Sequence, residues 1–246
     1  MKLEDVGVVV TSRNDASTVA RSLDSVNGFG GIVVVDAFST DGTRDIAREF
    51  GAAVYVRPFQ SARDQNKWAL TRIDTAWVLS LDATEAVDDR LRAAIAALDE
   101  EGIGGFAVRI DSEYLGRIMK SAAASPGVAP RLSARAGGGQ VVAIDGAIIR
   151  REFRDVHLHF DAINRDTTEA AQYYVDSGGR LAVLRMLMQP GLRFWRWYLL
   201  KAGFRDGVRG FMFCLLGAYE CFILFAKAWE YGVRIRRKRG KGGETG

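Results

Sequence analysis

The chain has 246 residues, 48% of them hydrophobic, enough for one substantial α/β core and an appendage. Two cysteines, Cys214 and Cys221, exclude a disulfide framework and point to a reduced, cytoplasmic setting; the opening Met-Lys-Leu-Glu-Asp also lacks the basic-then-apolar layout of a signal peptide. The net charge of +4 conceals two parts of opposite sign: from Arg185 onward there are 13 Lys and Arg against 4 Asp and Glu, and before it 21 against 26.

In chain order, Val6-Gly7-Val8-Val9-Val10 reads as a first strand and Ser12-Arg13-Asn14-Asp15 as the polar turn at its carboxyl end. Ser17 or Asp15 is placed to cap a helix running to about Val26, with Val19, Leu23 and Val26 on one face. Ile32 to Val35 is the second strand, ending in Asp36. The Ser/Thr/Gly-rich turn that follows, Ser39-Thr40-Asp41-Gly42-Thr43, leads into a helix from about Thr43 to Phe50, whose first N–H groups could approach a phosphate or ribose. A short strand, Ala53 to Val56, a helix near Ala62 to Arg72 and a strand from Trp77 to Asp82 complete a β-α-β-α-β-α-β unit, the pattern of a right-handed doubly wound half-sheet. Strands buried on both faces belong in a parallel sheet, and acids at their carboxyl ends project into the crevice where such sheets bind ligands. Chemistry is therefore expected at Asp36, Asp41, Asp82 and Glu85.

Beyond Glu85 the signals weaken. Leu91, Ala94, Ile95 and Leu98 predict an amphipathic helix, and Gly105 to Ile110 a strand. Ser121 to Gly139, rich in Ala, Gly, Ser and Pro, reads as a mobile loop over the site or a surface excursion. His157 and His159 alternate as strand residues do, without a third ligand for zinc in reach. Asp36 and Asp41 also suit helix capping, and Glu85 suits the first turn of a helix.

From Arg185 the basic residues are interleaved with aromatics, as in Phe194-Trp195-Arg196-Trp197-Tyr198, and with the apolar run from Gly210 to Ala226; Arg234-Ile235-Arg236-Arg237-Lys238-Arg239 follows. This composition fits an anionic membrane surface rather than nucleic acid. Seventeen residues with Glu220 near the middle favour a helix lying in the interface over one that spans it, and a helix buried on the sheet is the alternative.

The order Ser12-Arg13-Asn14-Asp15, Val34-Val35-Asp36, Ser39-Thr40-Asp41-Gly42-Thr43, Gln65 to Leu70 and Trp77-Val78-Leu79-Ser80-Leu81-Asp82-Ala83-Thr84-Glu85 resembles glycosyltransferase family 2, which has the GT-A fold. Leu192 to Phe211 and Ala226 to Glu230 resemble the membrane-proximal end of its bacterial lipopolysaccharide-core β-glucosyltransferase-like branch. The resemblance implies an α/β nucleotide-diphospho-sugar transferase domain over residues 1–184, with a mostly parallel sheet flanked by helices, and a helical membrane-associating segment over 185–246. It implies inverting transfer of a sugar from a nucleotide diphosphate donor, foremost a UDP-sugar, to a lipid-linked, lipopolysaccharide or polysaccharide acceptor on the cytoplasmic face of the inner membrane. Ser12, Asn14, Asp36, Ser39 and Asp41 would border the nucleotide, Gln65 and Lys67 the diphosphate, and Asp82 the ribose or metal. A divalent cation, Mg²⁺ or Mn²⁺, would be held by Asp82, Thr84 and Glu85, and the catalytic residues would be Asp82, Glu85 and Asp145. Asp111, Glu113 and Asp145 are candidate replacement bases by residue type, each of which also reads as a solvated loop or strand-end acid.

The chain departs from the family pattern at several points. The usual Asp-Ala-Asp-Glu is Asp82-Ala83-Thr84-Glu85, so a hydroxyl, a poorer ligand for a hard cation, replaces a carboxylate. Gln140 stands near the place of an acceptor-side acid, Ala37-Phe38 replaces a small polar residue and glycine, and Asn66-Lys67 reverses a basic-Asn order. These changes leave open a catalytically weakened, membrane-associated binding or scaffold subunit, and the apolar C-terminal helices leave open pairing with a second copy.

Overall fold

A computed structural model describes residues 1–241 of the chain apart from 60, 100, 101, 122, 123, 125, 126, 136, 154 and 180. The chain divides into two compact units, residues 1–113 with 126–152, and residues 114–125 with 153–246. The expected division at residue 184 falls within a helix, Ala182–Trp195.

The first unit opens with β1 (Val6–Ser12), α1 (Val19–Ser25), β2 (Ile32–Asp36), α2 (Thr43–Glu49), β3 (Ala53–Val56), α3 (Ala62–Ala69) and β4 (Trp77–Asp82). β1 pairs in parallel with both β2 and β4, and β2 with β3, giving the spatial order β3-β2-β1-β4. The valine-rich strands are apolar on both faces because both are covered. Val8, Val10, Val34, Leu79 and Leu81 pack on one side with Leu23, Val26, Leu91 and Ile95, while Val9, Val33, Val35 and Val78 pack on the other with Ala69 and Ile73. Thr18 and Val19 donate their N–H groups to the backbone carbonyl of Asp15, so Asp15 starts α1 through its main chain rather than its side chain.

The sheet continues through β8 (Gly127–Ala134), β6 (Ile103–Tyr114), β9 (Gln140–Phe153) and β5 (Glu85–Val87), in that spatial order; α4 (Asp89–Ala96) follows β5, capped by the Asp88 carboxylate, which accepts from Leu91 N at 2.7 Å. β8 is antiparallel to both β4 and β6, and β5 to β9. The sheet is thus mixed, with its parallel half carrying the first four strands.

Two expectations are corrected here. The segment expected as a loop from Ser121 to Gly139 contains an interior strand, β8; part of that expectation, at 122, 123, 125, 126 and 136, lies outside the described residues. Its pattern is weak because only Leu132 among its residues is buried and because Pro130 interrupts it. The proline sits beside a β-bulge: Phe106 opposes Leu132 and Ala107 opposes Pro130, leaving Arg131 as the extra residue. Glu85, which suits a helix start by sequence, instead opens β5.

The second unit contains the two-residue β7 (Arg117–Ile118), α5 (Val156–Asp176), α6 (Ala182–Trp195) and α7 (Gly207–Lys241). His157 and His159 lie on α5, not on a strand, so a separation of two residues turns them apart rather than together. His157 is exposed, whereas His159 is buried, stacked on Phe153 at 3.9 Å, with its Nδ1 3.1 Å from the Tyr114 hydroxyl. Burial holds His159 down to about 4, and it raises the Tyr114 phenol to about 12. α7 is long and apolar enough to cross a membrane by length and composition. It packs on α5 and α6, burying Cys214, Cys221, Phe225 and Ala228; both cysteines are free thiols. Glu220 is paired with Arg193 of α6 at 2.9 Å. The side chains of the basic run 236–239 lie outside the described residues.

Candidate functional site

The parallel strands set the site by register. Ser12 stands opposite Asp36 across β1 and β2, and Thr11 stands opposite Asp82 across β1 and β4. Two carboxylates therefore leave the carboxyl edge of the sheet on either side of β1, where α/β sheets place their ligands.

The Asp36 carboxylate is fully buried. Its Oδ1 accepts from Ser39 N at 3.0 Å and lies 3.7 Å from Arg44 Nε; its Oδ2 accepts from the hydroxyls of Ser39 and of Ser12, the latter at 3.4 Å. Asn14, held at φ +59°, joins the loops after β1 and β2: its N–H donates to Ser39 Oγ and its Oδ1 accepts from Thr40 N, each at 2.8 Å. Asp41 makes the second tie, accepting from Ala16 N and Thr43 N, each at 3.1 Å, and from the Thr43 hydroxyl. Burial pushes the Asp41 carboxyl up, but these hydrogen bonds outweigh it and hold it below the usual carboxylate range. Ser12, Asn14, Asp36 and Ser39 thus form one connected network, and Asp41 ties the same two loops separately through Ala16 and Thr43. Phe38, at φ +58°, leaves that turn with its ring 59% exposed.

The turn after β4 is built differently. Asp82 is partly exposed, its Oδ1 accepting from Thr84 N at 3.0 Å and from Thr84 Oγ1 at 2.9 Å. Glu85 is fully buried and lies under the same turn, its Oε2 accepting from Asp82 N at 2.9 Å. Its Oε1 takes Arg131 Nη2 at 2.8 Å and Arg150 Nη2 at 2.7 Å, and Arg131 Nη1 reaches Ser80 O at 3.5 Å. Neither arginine was signalled as functional by the sequence. Arg150 stands next to Arg151 in an apolar strand, which is a readable signal; Arg131 owes its direction to the bulge, which is not. Among the described residues no three His, Cys, Asp or Glu side chains gather to hold a metal ion.

The remaining predicted residues stand apart from these turns. Gln65 is buried at 1% exposure; its Nε2 donates to Pro58 O at 3.2 Å, and its Oε1 finds no partner among the described residues. Lys67 is exposed on α3. Gln140 opens β9, exposed. Asp145, expected on the acceptor side, is not brought to Asp82. In β9, Arg150 opposes Glu85 and Ile148 opposes Val87, so Asp145 continues past the far end of β5, roughly 16 Å along the strand from Arg150. The acid joined to the Asp82 turn is Glu113: Arg151 N donates to Thr84 O, and the Arg151 guanidinium lies 3.4 Å from Glu113, which also meets Arg21 at 3.2 Å. Asp111 pairs with Arg109.

Residues 7–154 match the family described as Glycosyl transferase family 2. Among curated proteins, the chain is 33% identical over 94 residues to an uncharacterized glycosyltransferase of Rickettsia felis, an alignment covering 38% of this chain and 33% of that protein. It is 24% identical over 250 residues to the lipopolysaccharide core biosynthesis glycosyltransferase LpsC of Rhizobium meliloti, covering 88% of this chain and 89% of that one. Among solved structures, glucosyl-3-phosphoglycerate synthase from Mycobacterium tuberculosis, in complex with Mn²⁺, UDP and phosphoglyceric acid, aligns with a TM-score of 0.40 at 16% identity, over 72% of this chain and 79% of that one. With the family matched over more than half of its length, and with the mixed, helix-flanked sheet of the expected GT-A fold, the chain belongs to glycosyl transferase family 2.

Proposed function

We propose that the chain is an inverting hexosyltransferase that moves a sugar from a nucleotide diphosphate donor, a UDP-sugar, to a lipid-linked or lipopolysaccharide acceptor at the cytoplasmic face of the inner membrane. The observation that carries this reading is the pair of strand-end carboxylates flanking β1, one locked and one partly exposed. The Asn14, Asp36 and Ser39 network, with Asp41 tying the same two loops, forms a fixed wall for base and ribose, and Asp82 faces the donor sugar and diphosphate. The acceptor hydroxyl attacks the anomeric carbon from the face opposite the leaving group. The bond from that carbon to the diphosphate oxygen breaks and its electron pair leaves with the nucleoside diphosphate, while a carboxylate takes the hydroxyl proton. Of the acids considered, Glu113 has the best position for that proton transfer, because it is joined to the Asp82 turn through Arg151. The name of the Rhizobium meliloti relative supports a lipopolysaccharide acceptor.

The divalent cation is the part of the family pattern that the donor set here does not support. Glu85 is committed to two guanidiniums and a backbone N–H, and Thr84 offers a hydroxyl already bonded to Asp82.

Residues 185–246 supply the membrane contact. α6 presents Leu184, Leu187, Met188, Leu192 and Trp195 to solvent, and α7 presents Val208, Phe211, Leu215, Tyr219 and Phe222, each at helical spacing. Apolar stripes this long beside basic residues suit a helix pair lying in a lipid interface, and the pairing of Glu220 with Arg193 offsets its charge there. Two experiments test the reading. Titration with UDP and UDP-sugars should show saturable binding to one site, and failure of every nucleotide tested to bind would reject the transferase role. The double substitution Leu187→Glu and Leu192→Glu should lower flotation with anionic vesicles about tenfold or more, given the apolar area and charge involved. Unchanged flotation would reject the membrane role.

A further inference from the structure

We infer that this transferase binds its donor diphosphate and releases it without a divalent cation, its charge being met by guanidinium groups fixed behind Asp82. The inference rests on the nucleotide-sugar reading and deepens it at the same site.

A dication needs oxygens that are free to turn toward it and a site whose charge attracts it. The Asp82 turn supplies neither in sufficient measure. Its two carboxylates, Asp82 and Glu85, are matched by two guanidiniums, Arg131 and Arg150, so the group carries no net negative charge. Both oxygens of Glu85 are in use, Oε1 by the two arginines and Oε2 by Asp82 N, on a side chain without solvent exposure. Turning it toward a metal would strip two guanidiniums and a backbone N–H of their buried acceptor at once. The Thr84 hydroxyl donates to Asp82 Oδ1, and among the described residues Asp82 Oδ2 is the one carboxylate oxygen of the turn that no side chain or backbone group engages.

The same geometry offers the alternative. Arg131 and Arg150 offset Glu85 and Asp82, so a diphosphate meets a neutral turn rather than two uncompensated carboxylates, and the two arginine side chains are 19% and 29% exposed. Arginine presents planar, always-charged N–H donors suited to phosphate oxygens. The direction of Arg131 is built into the backbone by the bulge opposite Phe106 and Ala107. As the bond to the anomeric carbon breaks, the electron pair that passes to the diphosphate develops beside fixed cations that need no reorganisation.

The test is titration calorimetry of UDP into the full chain, once after treatment with EDTA and once with Mn²⁺ present. Wild-type affinity should agree within about threefold between the two conditions, and Thr84→Asp, which supplies the missing carboxylate, should gain about tenfold or more with Mn²⁺. Tightening of wild-type binding about tenfold by Mn²⁺, abolished in Asp82→Asn, would overturn the inference while leaving the nucleotide-sugar reading standing. Absence of UDP binding in both conditions would overturn that reading, and the inference with it. A folded Thr84→Asp protein, checked by circular dichroism, that stays indifferent to Mn²⁺ would overturn the argument from the donor set.

Discussion

The turns after β2 and β4 start from the same sequence idea, an apolar strand closed by aspartate, and end in opposite states. Asp36 is buried with both oxygens engaged, while the strand-end acid of β4 has one oxygen without a partner among the described residues and the burial falls instead on Glu85, three residues later. The difference teaches that position at a strand end does not by itself define a reactive group. The first turn spends its carboxylate on holding two loops in place, whereas the second is held by Glu85, which is why Asp82 is the acid proposed to meet the donor.

Substitutions can break this comparison. The largest stability effect is expected for Glu85→Ala, which leaves Arg131 and Arg150 without their shared acceptor and should cost about 3 kcal/mol in chemical denaturation. An effect below about 1 kcal/mol would show that the buried acid is not what holds the second turn. Asp36→Ala should cost less, about 2 kcal/mol, because it strands the Ser39 N–H but leaves the remaining loop ties through Asn14 and Asp41. The comparison sharpens at low pH. Asp41 titrates below its ordinary 3.8 in the folded chain, so its contribution is present above that value and is lost as pH falls further. An acid titration of wild type against Asp41→Asn, followed by thermal unfolding, should show the two converging below pH 3.8. The smallest effect belongs to Phe38→Gly: relieving a bulky residue at φ +58° should stabilise the β2 turn by about 1 kcal/mol.

Sequence reasoning reached the first four strands and their helices because covered parallel strands give uninterrupted apolar runs and because Asp36 and Asp82 mark their ends. It failed at β8, where Pro130 and a bulge replace alternation, and at Glu85, whose environment is made by arginines 46 and 65 residues away in the chain. The pair His157 and His159 is too short a pattern to separate a strand period from a helical one. Asn14, Ser39 and Asp41 are legible as polar turn residues, but the hydrogen bonds from Asn14 to Ser39 and from Ala16 to Asp41 depend on two loops meeting in space. Asp145 is a candidate base by residue type alone, and its distance along β9 from Arg150 comes from a strand register that the sequence does not display.

The central claim is that Asp82 is the group at this sheet edge that acts on a nucleotide-sugar donor. It is tested most directly by single-turnover release of UDP from a UDP-sugar by wild type and Asp82→Ala, with folding of both checked by thermal melts. The account predicts a loss of about a hundredfold or more in the variant with little change in stability, as expected for a carboxylate that stabilises the positive charge developing on the donor sugar in the transition state. Equal turnover by the two proteins would contradict it.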